Sequence, residues 1–208
     1  MLLTGRVDVP ARRQRSGGGL RERKKAQTRA VIQARALRLF HEQGYGATTM
    51  TQIADAAEVS ESTLFRYFPT KQDLVLQDAF DPLIVEAFKA QPPGLSPLQA
   101  LRAAFDAVLA DLSEAERAEM RDRVALSLSV PELRAAMLDQ FAGAMRVIAD
   151  AVAARSDRRP DDFAVRTLAG AVIGAGIAVM FVLADDPTAD LSALLDDAIA
   201  HLENGLAL

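Results

Sequence analysis

The stretch that decides the fold is residues 48–71, TTMTQIADAAEVSESTLFRYFPTK. Thr49, followed three residues later by Gln52, forms a capping box, and this pattern predicts the start of a helix. Ser60 is a good N-cap for a second short helix, which we predict over residues 61–67. The stretch therefore predicts two short helices joined by a tight turn.

The apolar residues of this stretch have the spacing of a helix-turn-helix motif. Ala54 lets the two helices cross closely, Val59 fills the turn, and Leu64 anchors the second helix. The outer face of the second helix is mostly polar: Glu61, Ser62, Thr63, Arg66 and Tyr67. Such a face suits the DNA major groove. Because any small all-helical domain contains helix pairs with polar outer faces, a purely structural role stays open on this pattern alone.

The residues around the motif extend the predicted helical domain. A first helix is predicted over residues 21–43, ending at Gly44, which takes a left-handed conformation cheaply. Behind the motif, Thr70 with Asp73 predicts a new helix start, which places Lys71 at a helix N-terminus suited to a phosphate. An ordinary solvated lysine is the alternative.

Composition limits the classes of protein that the chain can belong to. The 208 residues are 50% hydrophobic and 5% aromatic, which is typical of a helical globular protein. The absence of cysteine excludes disulfides, thiol nucleophiles and cysteine metal sites. His41 and His201 lie far apart in the sequence and belong to no ligand pattern, so we expect no metal site.

The charge is divided unevenly along the chain. Residues 1–75 contain 13 Lys or Arg and 7 Asp or Glu, so the overall net charge of −4 hides a basic first third and an acidic remainder. This asymmetry is typical of a nucleic-acid-binding module joined to a second unit. Residues 1–20 contain arginines, glycines and a proline, and we predict a disordered basic arm there.

Residues 24–75 resemble the DNA-binding domain of the TetR family of bacterial transcriptional regulators. The resemblance rests on these residues: Ile32, Leu39, Phe40, Gly44, Tyr45, Ala47, Thr48, Thr49, Met50, Ile53, Ala54, Ala57, Val59, Ser60, Thr63, Leu64, Phe65, Arg66, Tyr67, Phe68, Lys71 and Leu74. One residue departs from the family pattern, because Glu58 stands at the turn position where the family usually has glycine. If the turn requires positive φ there, Glu58 carries a strain of about 1 kcal/mol or more.

The resemblance implies a DNA-binding role for the motif. It places nine residues at the interface: Thr48, Thr49, Ser60, Glu61, Ser62, Thr63, Arg66, Tyr67 and Lys71. Thr48, Thr49 and Lys71 match family positions that bind the DNA backbone. Arg66 could read a guanine, since a bidentate arginine–guanine pair is the commonest specific contact. Glu61 would tune base selection by repulsion or by accepting from cytosine.

The rest of the chain is predicted to contain six helices. A connecting helix is expected over residues 71–88, with a break near Asp81 and Pro82. Ser96-Pro97 and Ser113-Glu116 mark the next two helix starts, and three further helices are expected over residues 131–155, 161–184 and 188–205. The fold class is therefore all-α. The predicted domains are a DNA-binding domain over residues 21–70 and a ligand-binding and dimerisation domain over residues 71–208.

The longest apolar run is residues 168–184, LAGAVIGAGIAVMFVLA. At 17 residues it is marginal for a membrane span, which needs about 20. The preferred interpretation is a helix that faces its own domain and a second subunit, because TetR-like proteins dimerise through their last two long helices. The expected dimer residues are Gly170, Gly174, Ile177, Phe181, Leu191, Leu195 and Ile199.

The family also holds a ligand pocket in the helices equivalent to residues 97–155. The apolar candidate ligand residues here are Phe105, Leu109, Met120, Met137 and Phe141, with an ordinary core as the alternative for each. Arg123 is a further candidate, with a solvated side chain as the alternative. Residues 131–134 and 169–184 weakly resemble a subgroup with an acyl-CoA-like ligand domain. With such a ligand, Arg121, Arg123 or Arg134 would meet a phosphate or carboxylate.

These observations predict a homodimeric, ligand-released repressor that binds a palindromic DNA operator and responds to a small apolar or acyl-type effector. The alternative is a DNA-binding dimer of the same fold that a partner protein controls. We expect no enzymatic activity and no cofactor, since the chain has no phosphate loop, no G-x-S-x-G elbow and no clustered histidines. No apolar signal segment precedes the first helix, so we expect a cytoplasmic protein without a membrane anchor.

Overall fold

The computed structural model describes residues 19–77, 80–186 and 188–206. This part of the chain forms ten α-helices and no β-strand, which confirms the predicted all-α class. Their bounds are α1 Leu20–Gln43, α2 Met50–Ala56, α3 Glu61–Tyr67, α4 Asp73–Leu76, α5 Phe80–Lys89, α6 Pro97–Ala110, α7 Glu114–Ser129, α8 Pro131–Ser156, α9 Phe163–Asp185 and α10 Leu191–Glu203. The predicted arm at residues 1–20 lies outside the described residues, except for its last two positions.

The helix-turn-helix forms where the capping residues place it. The Thr49 side chain accepts a hydrogen bond from the Gln52 backbone N–H at 3.2 Å, and the Thr49 N–H donates to Gln52 Oε1 at 2.9 Å. Ser60 Oγ accepts from the Thr63 backbone N–H at 3.2 Å and so starts α3. These bonds satisfy N–H groups that a helix start leaves without partners.

The turn between α2 and α3 holds Glu58 at φ 54°, in the left-handed region. A residue with a Cβ in this region carries a strain of about 1–2 kcal/mol, because its Cβ approaches the following carbonyl oxygen. The sequence made this strain conditional on a positive φ at Glu58, and the structure meets that condition. Gly44, at the end of α1, takes φ 86° without this strain.

Replacing Glu58 with glycine should raise the free energy of unfolding by about 1 kcal/mol. Glycine relieves the Cβ strain, and the greater freedom of the unfolded chain offsets part of that gain. Urea unfolding followed by tyrosine fluorescence measures the effect, since Tyr45 and Tyr67 both lie in this helical unit. Glu58→Ala is the matched control, because it removes the charge and keeps the Cβ. Equal stabilities for the glycine and alanine variants would contradict the strain.

The first hydrophobic core joins the N-terminal helices to residues beyond residue 70. Ile53, Leu64 and Phe68 are fully buried in it. Leu74 of α4 and Leu133 of α8 are also 0% exposed and belong to the same cluster. The division between residues 70 and 71 stays a prediction, but side chains from both sides of it share this core.

The helix that follows the motif differs from the predicted one. We expected one helix from Lys71 to Phe88, whereas α4 begins at Asp73 and the chain leaves helical geometry at Gln77 before α5. The break therefore precedes Pro82, which lies in the first turn of α5. Proline is tolerated in a first turn, since its missing N–H has no helical partner there. The chain after residue 70 thus contains seven described helices rather than six.

The remaining helices pack around a second core. Phe88, Leu101, Val152 and Val165 are buried there, together with Ile199 from α10. The capping boxes predicted at Ser96 with Gln99 and at Ser113 with Glu116 are both present. The structure also has α8 beginning at Pro131, as predicted.

The last two helices begin slightly later than expected, because aspartates cap them. Asp162 Oδ1 accepts from the Ala164 N–H at 2.8 Å, and Asp190 Oδ1 accepts from the Ser192 N–H at 2.9 Å. The helices therefore start at Phe163 and Leu191 rather than at residues 161 and 188.

An ion pair fastens α10 to α6. Arg102 binds Asp196 through both carboxylate oxygens. The hydrogen bonds from Arg102 lower the pKa of the Asp196 carboxyl, and the guanidinium charge adds to this effect. This pair, together with the buried Ile199, holds α10 against its own chain.

Candidate nucleic-acid interface

The outer face of α3 presents the side chains that the sequence predicted for DNA. Glu61, Ser62 and Arg66 are exposed, and Thr63 and Tyr67 are half-buried. The Arg66 guanidinium lies 5.6 Å from the centre of the Tyr67 ring, a distance at which a cation–π contact orients it. This face carries an arginine that can donate to a base edge and a carboxylate that can accept from one.

Thr49 and Ser60 are exposed at the starts of α2 and α3. Their hydroxyl oxygens accept hydrogen bonds from backbone N–H groups of α2 and α3, so they fix where these two helices start. Backbone N–H groups at a helix start favour an anion.

Thr48 is directed inward. Its residue is 1% exposed, and its hydroxyl donates to the Gly44 carbonyl at 2.8 Å, while Gln43 Nε2 donates to it at 3.1 Å. The side chain therefore holds the end of α1 to the start of α2. Its expected role at the DNA backbone stays a prediction, and a direct contact would have to come from its main chain.

Lys71 is also engaged within the protein. Its Nζ donates to the Tyr45 carbonyl at 2.8 Å and to the Thr48 carbonyl at 3.2 Å. The same atom lies 4.3 Å from the centre of the Tyr45 ring. Because an ammonium group has three donors, at most one remains for a phosphate, whose binding here stays a prediction. The predicted reciprocal hydrogen bonds between Thr70 and Asp73 are present, but α4 itself begins at Asp73, two residues after Lys71.

Tyr45 lies under this lysine and contains a buried hydroxyl. The residue is 5% exposed, its ring lies 5.0 Å from that of Phe40, and the hydroxyl has no hydrogen-bond partner among the described residues. Burial raises the pKa of the Tyr45 hydroxyl to about 12, and the negative charges of Glu132 and Asp73 contribute to the increase. The folded state therefore favours the neutral phenol.

Replacing Tyr45 with phenylalanine should leave the free energy of unfolding at pH 7 unchanged or raise it by about 1 kcal/mol, because an unpaired buried hydroxyl is removed. Above pH 10 the unfolded tyrosine loses its proton while the folded one keeps it, so the wild-type protein loses stability as the pH rises toward 12. The slope from this group is about 1.4 kcal/mol per pH unit, and the variant lacks it. Urea unfolding at several pH values tests this, and parallel pH profiles for the two proteins would contradict it.

Two residues on this surface were missed by the sequence reasoning. Thr51 of α2 is exposed, and its hydroxyl donates to Glu61 Oε1 at 2.5 Å. Phe65 of α3 is 44% exposed although it is aromatic. The spacing could have revealed Phe65, since it stands four residues after Glu61 on the same helical face. The Thr51 contact joins two helices, and no local pattern indicates it.

The candidate ligand residues are distributed over α6, α7 and α8. Leu109, Arg123 and Met137 are buried, and Phe105, Met120 and Phe141 are half-buried. Phe105 packs against the second core. Arg121 pairs with Glu114 at 2.8 Å, and Arg134 donates to the Leu128 carbonyl at 3.1 Å.

Two pockets lie among the C-terminal helices, and none of the six candidate ligand residues lines either of them. One is an apolar pocket of about 30 Å³ between α5, α6 and α8, lined by Ile84, Val85, Phe88, Leu101, Ile148, Ala151 and Val152. The other is an open cleft of about 600 Å³, lined by Glu114, Arg117, Arg121 and residues 188–192. The apolar pocket has room for about one water molecule.

The expected dimer residues differ in how exposed they are. Gly174 and Phe181 are exposed on α9, the latter by 55%, and Gly170, Ile177, Leu191 and Leu195 are half-buried. Ile199 is 2% exposed and packs in the second core of its own chain. We therefore leave Ile199 out of the candidate interface.

Helix α9 is long and apolar enough to cross a membrane by length and composition, with a mean hydropathy of 2.3 over its most apolar window. Only 22% of that window is buried inside the chain. Among the described residues, no group of three or more His, Cys, Asp or Glu is placed to hold a metal ion.

Two protein-family models match this chain. The model described as bacterial regulatory proteins of the tetR family matches residues 32–77, and the model described as the MftR C-terminal domain matches residues 95–207. The first match covers the helix-turn-helix, and the second covers all of α6 to α10. Together they include both the candidate DNA-binding surface and the C-terminal helices.

Named relatives agree with these models. The chain is 30% identical over 191 residues to the transcriptional regulator MftR of Mycobacterium tuberculosis, covering 88% of this chain and 93% of that protein. It is 42% identical over 113 residues to the HTH-type transcriptional regulator TcmR of Streptomyces glaucescens, covering 53% of this chain. That second match spans only 50% of the length of TcmR.

Solved structures share the fold. FadR of Thermus thermophilus, a TetR family repressor in complex with lauroyl-CoA, is 25% identical, with a TM-score of 0.54 over 86% of this chain and 95% of that one. The SmeT–triclosan complex is 20% identical, with a TM-score of 0.56 over 84% and 90% of the two chains, and shows the fold alone. The families and the relatives that match are transcriptional regulators and not enzymes. One family model spans more than half of the chain, and MftR matches over most of its length, so this protein belongs to the TetR family of DNA-binding transcriptional regulators.

Proposed function

We propose that this regulator is a cytoplasmic homodimer that binds a palindromic operator and represses transcription until a small effector releases it. The exposed face of α3 carries this proposal most directly, because Glu61, Ser62 and Arg66 are solvent-exposed on the helix that Ser60 caps. In helix-turn-helix proteins such a second helix enters the major groove. Arg66 is the proposed base-reading side chain.

Replacing Arg66 with alanine should weaken specific operator binding by about 1–3 kcal/mol and relax the base preference at one position of each half-site. Arg66 is exposed, so its removal should leave the thermal unfolding midpoint close to that of the wild type. The operator is obtained by selection from random duplexes, and binding is measured by fluorescence anisotropy. Arg146→Ala on α8 is the control with the same loss of charge. Equal affinities for both variants would contradict the assignment.

The proposed dimer forms through the uncovered face of α9 with α10 beside it. Phe181 is an exposed aromatic residue, and a Cβ added at Gly174 would meet no atom within 4 Å. The space at Gly174 therefore leaves room for a second helix to approach closely. Twofold symmetry would place the two α3 helices one DNA turn apart, about 34–36 Å, which matches successive major grooves.

The proposed effector is a small apolar or acyl-type molecule. Among the similar structures, FadR is in complex with lauroyl-CoA and SmeT is in complex with triclosan. In this chain the pocket between α5, α6 and α8 is lined only by apolar side chains, and it would have to widen to admit such a molecule. A ligand releases DNA if its affinity for the conformer that cannot bind DNA exceeds its affinity for the DNA-binding conformer by a few kcal/mol.

The effector is tested by native mass spectrometry of the purified protein and by adding lauroyl-CoA or triclosan to the operator complex. Release of DNA, or a co-purifying apolar molecule, supports the ligand-released repressor. If no compound in a broad metabolite screen releases DNA, this result supports the alternative, control by a partner protein. Mapping transcripts in a strain that lacks the protein separates repression from activation.

The cytoplasmic location follows from the proposed contact with DNA. The alternative, a membrane anchor at α9, would leave the protein in the membrane fraction after lysis, whereas a dimer interface on the same helix would leave it in the supernatant. Fractionation of cells that express the full chain distinguishes the two.

A further inference from the structure

Thr51 and Glu61 form a preset hydrogen-bonding unit on the DNA-facing side of the motif. The Thr51 hydroxyl donates to Glu61 Oε1 at 2.5 Å, and both residues are exposed. Within the described residues, the second carboxylate oxygen, Oε2, has no hydrogen-bond partner. One oxygen is therefore fixed to α2, while the other remains an acceptor without a partner in the first turn of α3.

A fixed carboxylate on this face can be matched by only some base edges. In the major groove, cytosine presents an amino donor, whereas guanine and thymine present carbonyl or ring-nitrogen acceptors that repel a carboxylate. Adenine presents an amino group beside an acceptor, which suits an amide better than a carboxylate. The carboxylate is also repelled by DNA phosphates, so its presence at the surface favours a base contact over a backbone contact.

Phe65 stands on the same face, four residues after Glu61. Its ring is 44% exposed and has no polar atom, so it cannot bind a phosphate. The apolar group that the major groove offers is the thymine methyl. Side chains four residues apart on a helix are about 5–6 Å apart, which corresponds to one or two base steps of about 3.4 Å.

We propose that Thr51 is a positioning residue that fixes Glu61 to accept from a cytosine amino group, and that Phe65 covers the methyl of a thymine within about two base pairs of it. This inference rests on the proposed DNA-binding role of α3 and adds the base chemistry that it selects. Arg66 would read a different position of the half-site.

The test begins with the full-length protein and a random pool of DNA duplexes, from which bound sequences are selected and counted. The wild type should select a half-site with a cytosine whose replacement weakens binding about tenfold or more. Glu61→Gln should shift this preference toward adenine, because glutamine can both donate and accept. Thr51→Val, which keeps the side-chain shape, should reduce the preference for cytosine severalfold, and Thr51→Ser should restore it.

The thymine contact is tested by replacing thymines of the selected half-site one at a time with deoxyuridine, which removes only the methyl group. One such replacement should weaken wild-type binding severalfold and have no effect on Phe65→Ala. Circular dichroism melting confirms that each variant is folded. If no replacement distinguishes the two proteins, the role of Phe65 is wrong.

The outcomes separate this inference from the proposed function. If the wild type selects no sequence, the proposed sequence-specific binding itself fails. If the wild type selects a sequence and Glu61→Gln selects it with unchanged base frequencies, only the carboxylate contact is overturned. If Thr51→Val keeps the wild-type preference for cytosine, the positioning role of Thr51 is overturned.

Discussion

Replacing Leu133 with alanine should lower the free energy of unfolding of the DNA-binding end by about 2–5 kcal/mol, although residue 133 lies more than 60 positions after α3. Leu133 is 0% exposed and belongs to the core formed by α1 to α4. Removing its branched side chain loses apolar burial and leaves a cavity that the surrounding helices fill only partly. Leu126 and Val130, which pack against the same core, extend this contact along the end of α7.

The chain offers both a selective probe and a matched control for this experiment. Its two tyrosines, Tyr45 and Tyr67, both lie in the DNA-binding end, and it has no tryptophan, so tyrosine fluorescence reports on that end. Leu138→Ala is the control on the same helix, because Leu138 is 72% exposed and its truncation should change stability by at most about 0.5 kcal/mol. Equal unfolding midpoints for the two variants would show that Leu133 does not support the first core.

The contrast between Leu133 and the capped helices explains how much of the fold the sequence predicted. Capping boxes and N-caps act over three residues, so the starts of α2, α3, α6 and α7 were predicted correctly. Leu133 joins a core formed mostly by residues 32–75, and no local pattern indicates such a distant contact. The domain boundary at residue 70 was drawn from local signals and could not take this contact into account.

The same distinction applies to the candidate DNA-binding surface. Helical periodicity placed Glu61 and Arg66 on the outer face, and both are exposed. The inward direction of Thr48 and Lys71 depends on bonds to carbonyls in other elements, so the residue types alone did not reveal it. The family resemblance raised a positive φ at Glu58 only as a possibility, because it identified a position that normally holds glycine.

Replacing Phe181 with aspartate should convert the proposed dimer into a monomer and weaken operator binding by about 100-fold to 10,000-fold. In a twofold interface the substitution occurs on both chains, so two carboxylates are introduced into an apolar contact. A monomer also loses the gain that comes from linking two half-site contacts, which has this magnitude. The fold should persist, because Phe181 is 55% exposed in the protomer.

Sedimentation velocity measures the state of association, and anisotropy with the selected operator measures affinity. Leu138→Asp is the matched control, since it places the same charge at an exposed apolar residue of α8 and should leave the dimer intact. Binding of the Phe181 variant to a single half-site should remain close to the wild-type value, because α3 is unchanged. If the Phe181→Asp protein sediments as a dimer, the interface does not lie on this face of α9. The apolar window of α9, of which only 22% is buried, would then have no proposed partner, and a membrane contact would be tested next.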